Sequence, residues 1–140
     1  MISNYLPNVK AVITFLKLLN VKVNSKTVNE TLQNHPNWPS LLCISDTLNK
    51  WNIANGVGKI EPTHIDELPT PFMAYTVNKE RPLAIVTNIT ESIIEKRQTS
   101  YNKIELQNKT DLIKAWEGIY IIAETNEHSG EPNYKYSKRR

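Results

Sequence analysis

The apolar residues keep one period up to Ile53 and another beyond it, and that change restricts the fold more than any other feature of the chain. In "PNVKAVITFLKLLN", Val9, Val12, Ile13, Leu16 and Leu19 recur at the three- and four-residue spacing of one helix face. "VNETLQNH" follows, with Thr27 and Glu30 spaced as a capping box. After the "PNWP" break, Ser40 is placed to cap a third helix carrying Leu41, Ile44, Leu48 and Trp51 on one stripe. These patterns predict helices over 9–19, 27–34 and 41–51. Beyond Ile53 come short runs: "ANGVGKI", "PFMAYTV", "PLAIVTNI", "SIIEKRQ", "YNKIEL" and "GIYIIAE". They are β-rich, and turn residues separate most of them. One more short helix, "NKTDLIKAW", has Asn108 or Thr110 as its cap. Helices first and strands afterwards predict an α+β fold, with N-terminal helices packed on a C-terminal antiparallel β-sheet.

A chain of 140 residues is one domain's worth. The formal net charge of +3 is not spread over it. Lys135, Lys138, Arg139 and Arg140, set against Glu131, account for all of it, so residues 1–130 sum to zero. A neutral body gives no footprint for nucleic acid. The basic cluster falls in "TNEHSGEPNYKYSKRR", which has no apolar period. Residues 1–125 are therefore expected to be the folded unit and residues 126–140 a flexible basic linker, suited to the cytoplasmic side of a membrane span. No run of about 18 apolar residues occurs. The N-terminus lacks the layout of a signal peptide, which points to a cytoplasmic location.

Few residues offer chemistry. Cys43 is the one cysteine, so neither an internal disulfide nor a zinc site built on several thiolates is available. The three histidines, His35, His64 and His128, show no metal-ligand spacing, and no glycine-rich phosphate loop is present, so no metal and no cofactor are expected. On a helical wheel Cys43 falls on the flank of the third helix's stripe, about one turn in. It lacks a neighbouring base to make it a nucleophile, and it reads as a packing residue. His35 reads as a helix-ending residue. Asp66 and Glu67 read as a solvated face. Trp38, Trp51 and Trp116 read as core or half-buried packing.

Five segments taken together carry a resemblance: "VITFLKLLNVKVN", "HPNWPSLLCISDTLNKWNI", "DELPTPFMAY", "PLAIVTNI" and "LIKAWEGIYIIAE". In this order they resemble the double-glycine leader peptidases, cysteine peptidase family thirty-nine, over residues 5–124. The resemblance implies a papain-like fold, bacteriocin processing, and a place at the N-terminus of an ABC exporter of bacteriocins or peptides. It does not carry the catalytic residues over. Counting back from "LNVKVN", the nucleophile position falls at Pro7, within one residue; the histidine falls at Pro82 or Arg81; the segment that should hold the aspartate has only Glu95. The expectation is a peptidase-like domain with no catalytic residues. It would bind an extended peptide or leader peptide for a membrane protein fused or associated C-terminally, and be tethered to the inner membrane through the C-terminal segment. The residues nearest the family's cleft are Tyr5, Met73 and Tyr75. The partner is expected to be an ABC exporter or a vitamin K epoxide reductase-like oxidoreductase, and the tail looks more like the second. The rival readings are a structural or regulatory domain of that membrane protein, and an active peptidase using Cys43.

Overall fold

The computed structural model describes residues 6–98 and 101–131. Three helices open the chain: α1 (Pro7–Leu18), α2 (Ser25–Gln33) and α3 (Leu41–Lys50). Pro7 sits at the first turn of α1, where its missing N–H costs nothing. α1 and α3 stop in the same way. Asn20 and Asn52 take positive φ, 59° and 58°. Val21 N–H then reaches back to Leu16 O, and Ile53 N–H to Leu48 O, the bonds that close a helix C-terminus around a left-handed residue. Ser40 caps α3 as expected, accepting from Cys43 N–H. The start of α2 differs from expectation. Its cap is Asn24, which accepts from Lys26 N–H at 2.9 Å, so the helix begins before Thr27 and Thr27–Glu30 is not the capping box.

Six strands follow: β1 (Ala54–Lys59), β2 (Phe72–Thr76), β3 (Leu83–Ile89), β4 (Ile93–Arg97), β5 (Glu105–Asn108) and β6 (Trp116–Glu124). They form one antiparallel sheet in the order β1-β6-β2-β3-β4-β5. The last strand thus enters the sheet beside the first. Gly118 permits this: its φ is +92°, and a Cβ there would lie 1.8 Å from Ile60 O.

Both sheet faces are buried. On one, Val9, Val12, Phe15 and Leu16 of α1 pack with Ile44 and Leu48 of α3 over Met73, Leu83, Ile85 and Ile121. On the other, a short 3-10 segment (Pro62–Glu67) and α4 (Lys109–Ala115) cover Phe72, Val86, Ile94 and Trp116 with Ile65 and Leu112. Asn108 caps α4, accepting from Thr110 N–H. Lys109 Nζ reaches Asp66 at 2.8 Å and ties the two covering segments together. Asp66 and Glu67 are both exposed, the latter beside His64. Trp51 and Trp116 are core residues and Trp38 is partly buried, as expected.

Residues 126–131 run back against the ends of the helices. Gly130 N–H donates to Trp51 O at 2.7 Å, Ser129 Oγ to Asn52 O at 2.7 Å, and Glu131 N–H to Lys22 O at 2.9 Å. The Glu131 carboxylate accepts from Asn24 N–H at 2.8 Å and from Thr27 Oγ1 at 3.3 Å. Helix ends leave carbonyls and amides without intrahelical partners. This segment supplies partners at the end of α3, at the connection after α1 and at the start of α2. The contact is polar, which is why no apolar period marks it. Residues 132–140 lie outside the described residues.

Candidate functional site

The resemblance assigns the catalytic positions to three places, which the structure puts at the start of α1, the start of β3 and the end of β4. At the first, Leu6 precedes the helix with no side-chain cap and is 48% exposed. Pro7 follows, with no N–H to donate and no titratable atom. At the second, Asn78 Oδ1 gathers Glu80 N–H and Arg81 N–H at 3.0 Å each. The Pro82 carbonyl accepts from both Thr76 N–H and Thr76 Oγ1. At the third, Gln98 Nε2 donates to Arg81 O at 2.6 Å, while Gln98 Oε1 accepts from Lys96 Nζ at 2.9 Å. The link between the end of β4 and the residues before β3 is therefore an amide–carbonyl bond, with no acid–imidazole pair. Glu95 faces elsewhere: Thr87 Oγ1 donates to both its carbonyl and its carboxylate. Burial pulls the Lys96 ammonium down from its ordinary range, and Glu105 across the strand pair partly offsets this.

Of the residues expected to contact a peptide, Tyr5 lies outside the described residues. Met73 is fully buried beneath the helices and offers no surface in this conformation. The alternation along β2 that puts Met73 in the core puts Tyr75 on the same face, two residues further on, where cover runs out and it is 40% exposed. Sequence reasoning passed over a second group on that face. Val57, Ile121, Met73, Ile85 and Arg97 stand opposite one another across five strands. The row ends in a cation. Arg97 Cζ lies 5.3 Å from the Tyr101 ring centroid, and Lys17 Nζ of α1 lies 5.4 Å from the same centroid. No spacing rule links residues 17, 97 and 101; only the fold brings them together.

Cys43 is fully buried, with its thiol 3.6 Å from Leu32 O of α2. Burial pushes that thiol up, away from the thiolate a nucleophile needs. His35 has both ring nitrogens engaged: Nδ1 accepts from Asn37 N–H at 3.0 Å, so Nε2 carries the proton facing Asp46 Oδ2 at 3.0 Å. A polar hollow of about 430 Å³ beside it is lined by Glu30, His35, Asp46, Thr47 and Lys50, and Cys43 does not line it. A second groove, of about 490 Å³, lies over Gly56 of edge strand β1, between Ala54, Pro69, Ile122 and Glu124. It is three strands away from β3. Among the described residues no group of three or more His, Cys, Asp or Glu side chains is placed to hold a metal, and no helix is long and apolar enough to cross a membrane.

No protein-family model matches the chain, and no curated protein matches it. Solved structures do. A double-glycine-motif protease from an AMS/PCAT transporter, crystallised with its leader peptide, aligns over 90% of this chain and 89% of its own, with 9% identity and a TM-score of 0.75. The peptidase domain of Streptococcus ComA, a bifunctional ABC transporter of a quorum-sensing pathway, aligns over 90% and 96%, with 14% identity and a TM-score of 0.74. The N-terminal peptidase C39-like domain of a toxin secretion ATP-binding protein from Vibrio parahaemolyticus aligns over 89% and 100%, with 11% identity and a TM-score of 0.68. The fold is thus the α+β, papain-like fold of peptidase C39 domains.

Proposed function

We propose that this domain, with the fold of the transporter peptidase domains, binds a peptide and does not cut it. The observation that supports this reading is the proline at the first turn of α1. Hydrolysis by a cysteine peptidase requires a thiolate, a base in hydrogen-bond reach and an oxyanion donor. Pro7 provides neither nucleophile nor amide donor, Pro82 has no basic atom, and the Arg81 guanidinium stays protonated. One of the matched folds was crystallised with a leader peptide, and a leader is the ligand we assign here. Tyr75, exposed on the helix-covered face, is the aromatic contact we assign, with Tyr5, which lies outside the described residues, as the second; Met73 is buried and is left out of the assignment. Lys135, Lys138, Arg139 and Arg140 suit the cytoplasmic side of a membrane partner, of exporter or oxidoreductase type.

The experiment is titration with extended peptides ending in a double glycine, followed by mass analysis of the peptide. The expected result is saturable shifts around Tyr75, micromolar affinity (about −8 kcal/mol), and intact peptide. Cleavage after the glycines sinks the non-catalytic half. Absence of shifts across a broad panel sinks the binding half and leaves a structural domain of a membrane partner.

A further inference from the structure

We propose that Lys17, Arg97 and Tyr101 form a clamp for a carboxylate, so that the peptide this domain takes is an acidic one. The proposal deepens the peptide-binding reading and rests on it.

Arg97 stands where the cross-sheet row Ile121–Met73–Ile85 would otherwise continue with another apolar residue. Its Nε is buried and has no hydrogen-bond partner among the described residues. Native interiors seldom leave a donor in that state. The Tyr101 ring, 38% exposed, receives Arg97 and Lys17 together. A ring within about 6 Å attracts a cation through its π-face but neutralises no charge. Among the described residues neither cation has an ion-pair partner. Glu95, two residues from Arg97 on the same face of β4, holds its carboxylate against Thr87. Among the described residues the group is therefore two positive charges converging on one half-open aromatic, without a counter-charge. A carboxylate is the acceptor that suits it, because a guanidinium can give it two parallel bonds while an ammonium adds a third from the side. By ideal sheet spacing Arg97 lies about 12 Å from Tyr75, two strands across and two residues along. Leu83 and Ile85 of β3, between the two, are buried under the helices, so an extended peptide joining them passes round α1 and needs more than the roughly four residues of the straight span. A peptide of that length seated at Tyr75 reaches the clamp with an acidic side chain or with its own C-terminal carboxylate.

The test uses two peptides that differ only in Glu against Gln at the acidic positions, each with a free or an amidated C-terminus. They are titrated into the wild-type chain and into Arg97→Gln and Lys17→Gln. We expect the acidic peptide to bind about tenfold more tightly than its Gln counterpart. That ratio should fall toward one in either variant and in high salt. Arg97→Lys, which keeps the charge and the stem, should retain part of it, and thermal melts verify that each variant is folded. If only the C-terminal amide lowers affinity, the clamp takes the main-chain carboxylate. If all peptides bind equally, with shifts at Tyr75, the clamp is overturned while peptide binding stands. If none binds, both are overturned.

Discussion

Replacing Glu131 with alanine removes a carboxylate that closes the C-terminal segment onto the helices. The loss can be worked from its bonds. One carboxylate oxygen accepts from Asn24 N–H at 2.8 Å and the other from Thr27 Oγ1 at 3.3 Å. The first is a charge-assisted bond to the capping residue of α2, worth about 1–2 kcal/mol at a part-buried site. The second is longer and adds only a few tenths. A negative charge at a helix N-terminus contributes roughly 0.3–1 kcal/mol more. Glu131→Ala is therefore expected to destabilise the domain by about 2 kcal/mol, or about 6–8 °C in Tm for a chain of this size. Glu131→Gln keeps an acceptor oxygen and loses the charge, so about half of that is expected. Amide exchange gives the location: Asn24 and the first turn of α2 should lose protection while the β2–β3 pairing keeps it. A second check is a cycle with Thr27→Ala, whose effect should shrink in the Glu131→Ala background. If both Glu131 variants melt within 1 °C of wild type and Asn24 exchange is unchanged, the segment rests on the surface without holding it, and the linker begins at 126 after all.

Three further outcomes are expected. Cys43 should resist thiol reagents in the folded state at neutral pH and react on denaturation; because its folded thiol titrates above the unfolded one, its contribution to stability should be level below about pH 8.5 and decline above it. Cys43→Ser should remove that decline at a cost of about 1–2 kcal/mol, measured by denaturant melts across pH. Gly118→Ala should cost 3 kcal/mol or more, roughly, since its Cβ would meet Ile60 O at 1.8 Å, whereas Gly56→Ala, with no atom nearer than 3.9 Å, should stay within about 1 kcal/mol; equal melts for the two would refute the backbone argument. Leu112→Ala should cost about 2–5 kcal/mol if the second core beneath α4 is as closely packed as its burial indicates.

The switch of apolar period at Ile53 determined the fold class without help from tertiary structure, because helix and strand periodicities are properties of neighbouring residues. Ser40 and Asn108 were legible as caps for the same reason: a cap bonds to an amide two or three residues away. That Pro7, Arg81 and Pro82 bring neither a thiol nor an imidazole is a matter of residue type, and the chain alone carries it. Other features depended on residues far apart in sequence. Thr27 and Glu30 fit a local capping box, yet the acid that reaches the start of α2 is Glu131, 107 residues from Asn24. Cys43 lies on the flank of one apolar stripe, but α3 packs on two sides, against the sheet and against Leu32 of α2, so the flank is also core. Met73 and Tyr75 share a face by alternation, and only the helices above decide which is sealed and which is open. The meeting of Lys17, Arg97 and Tyr101 requires a helix, a strand end and a turn at once. Periodicity gives the faces of single elements, whereas contacts between elements depend on how those faces are placed, and no spacing within one element encodes that.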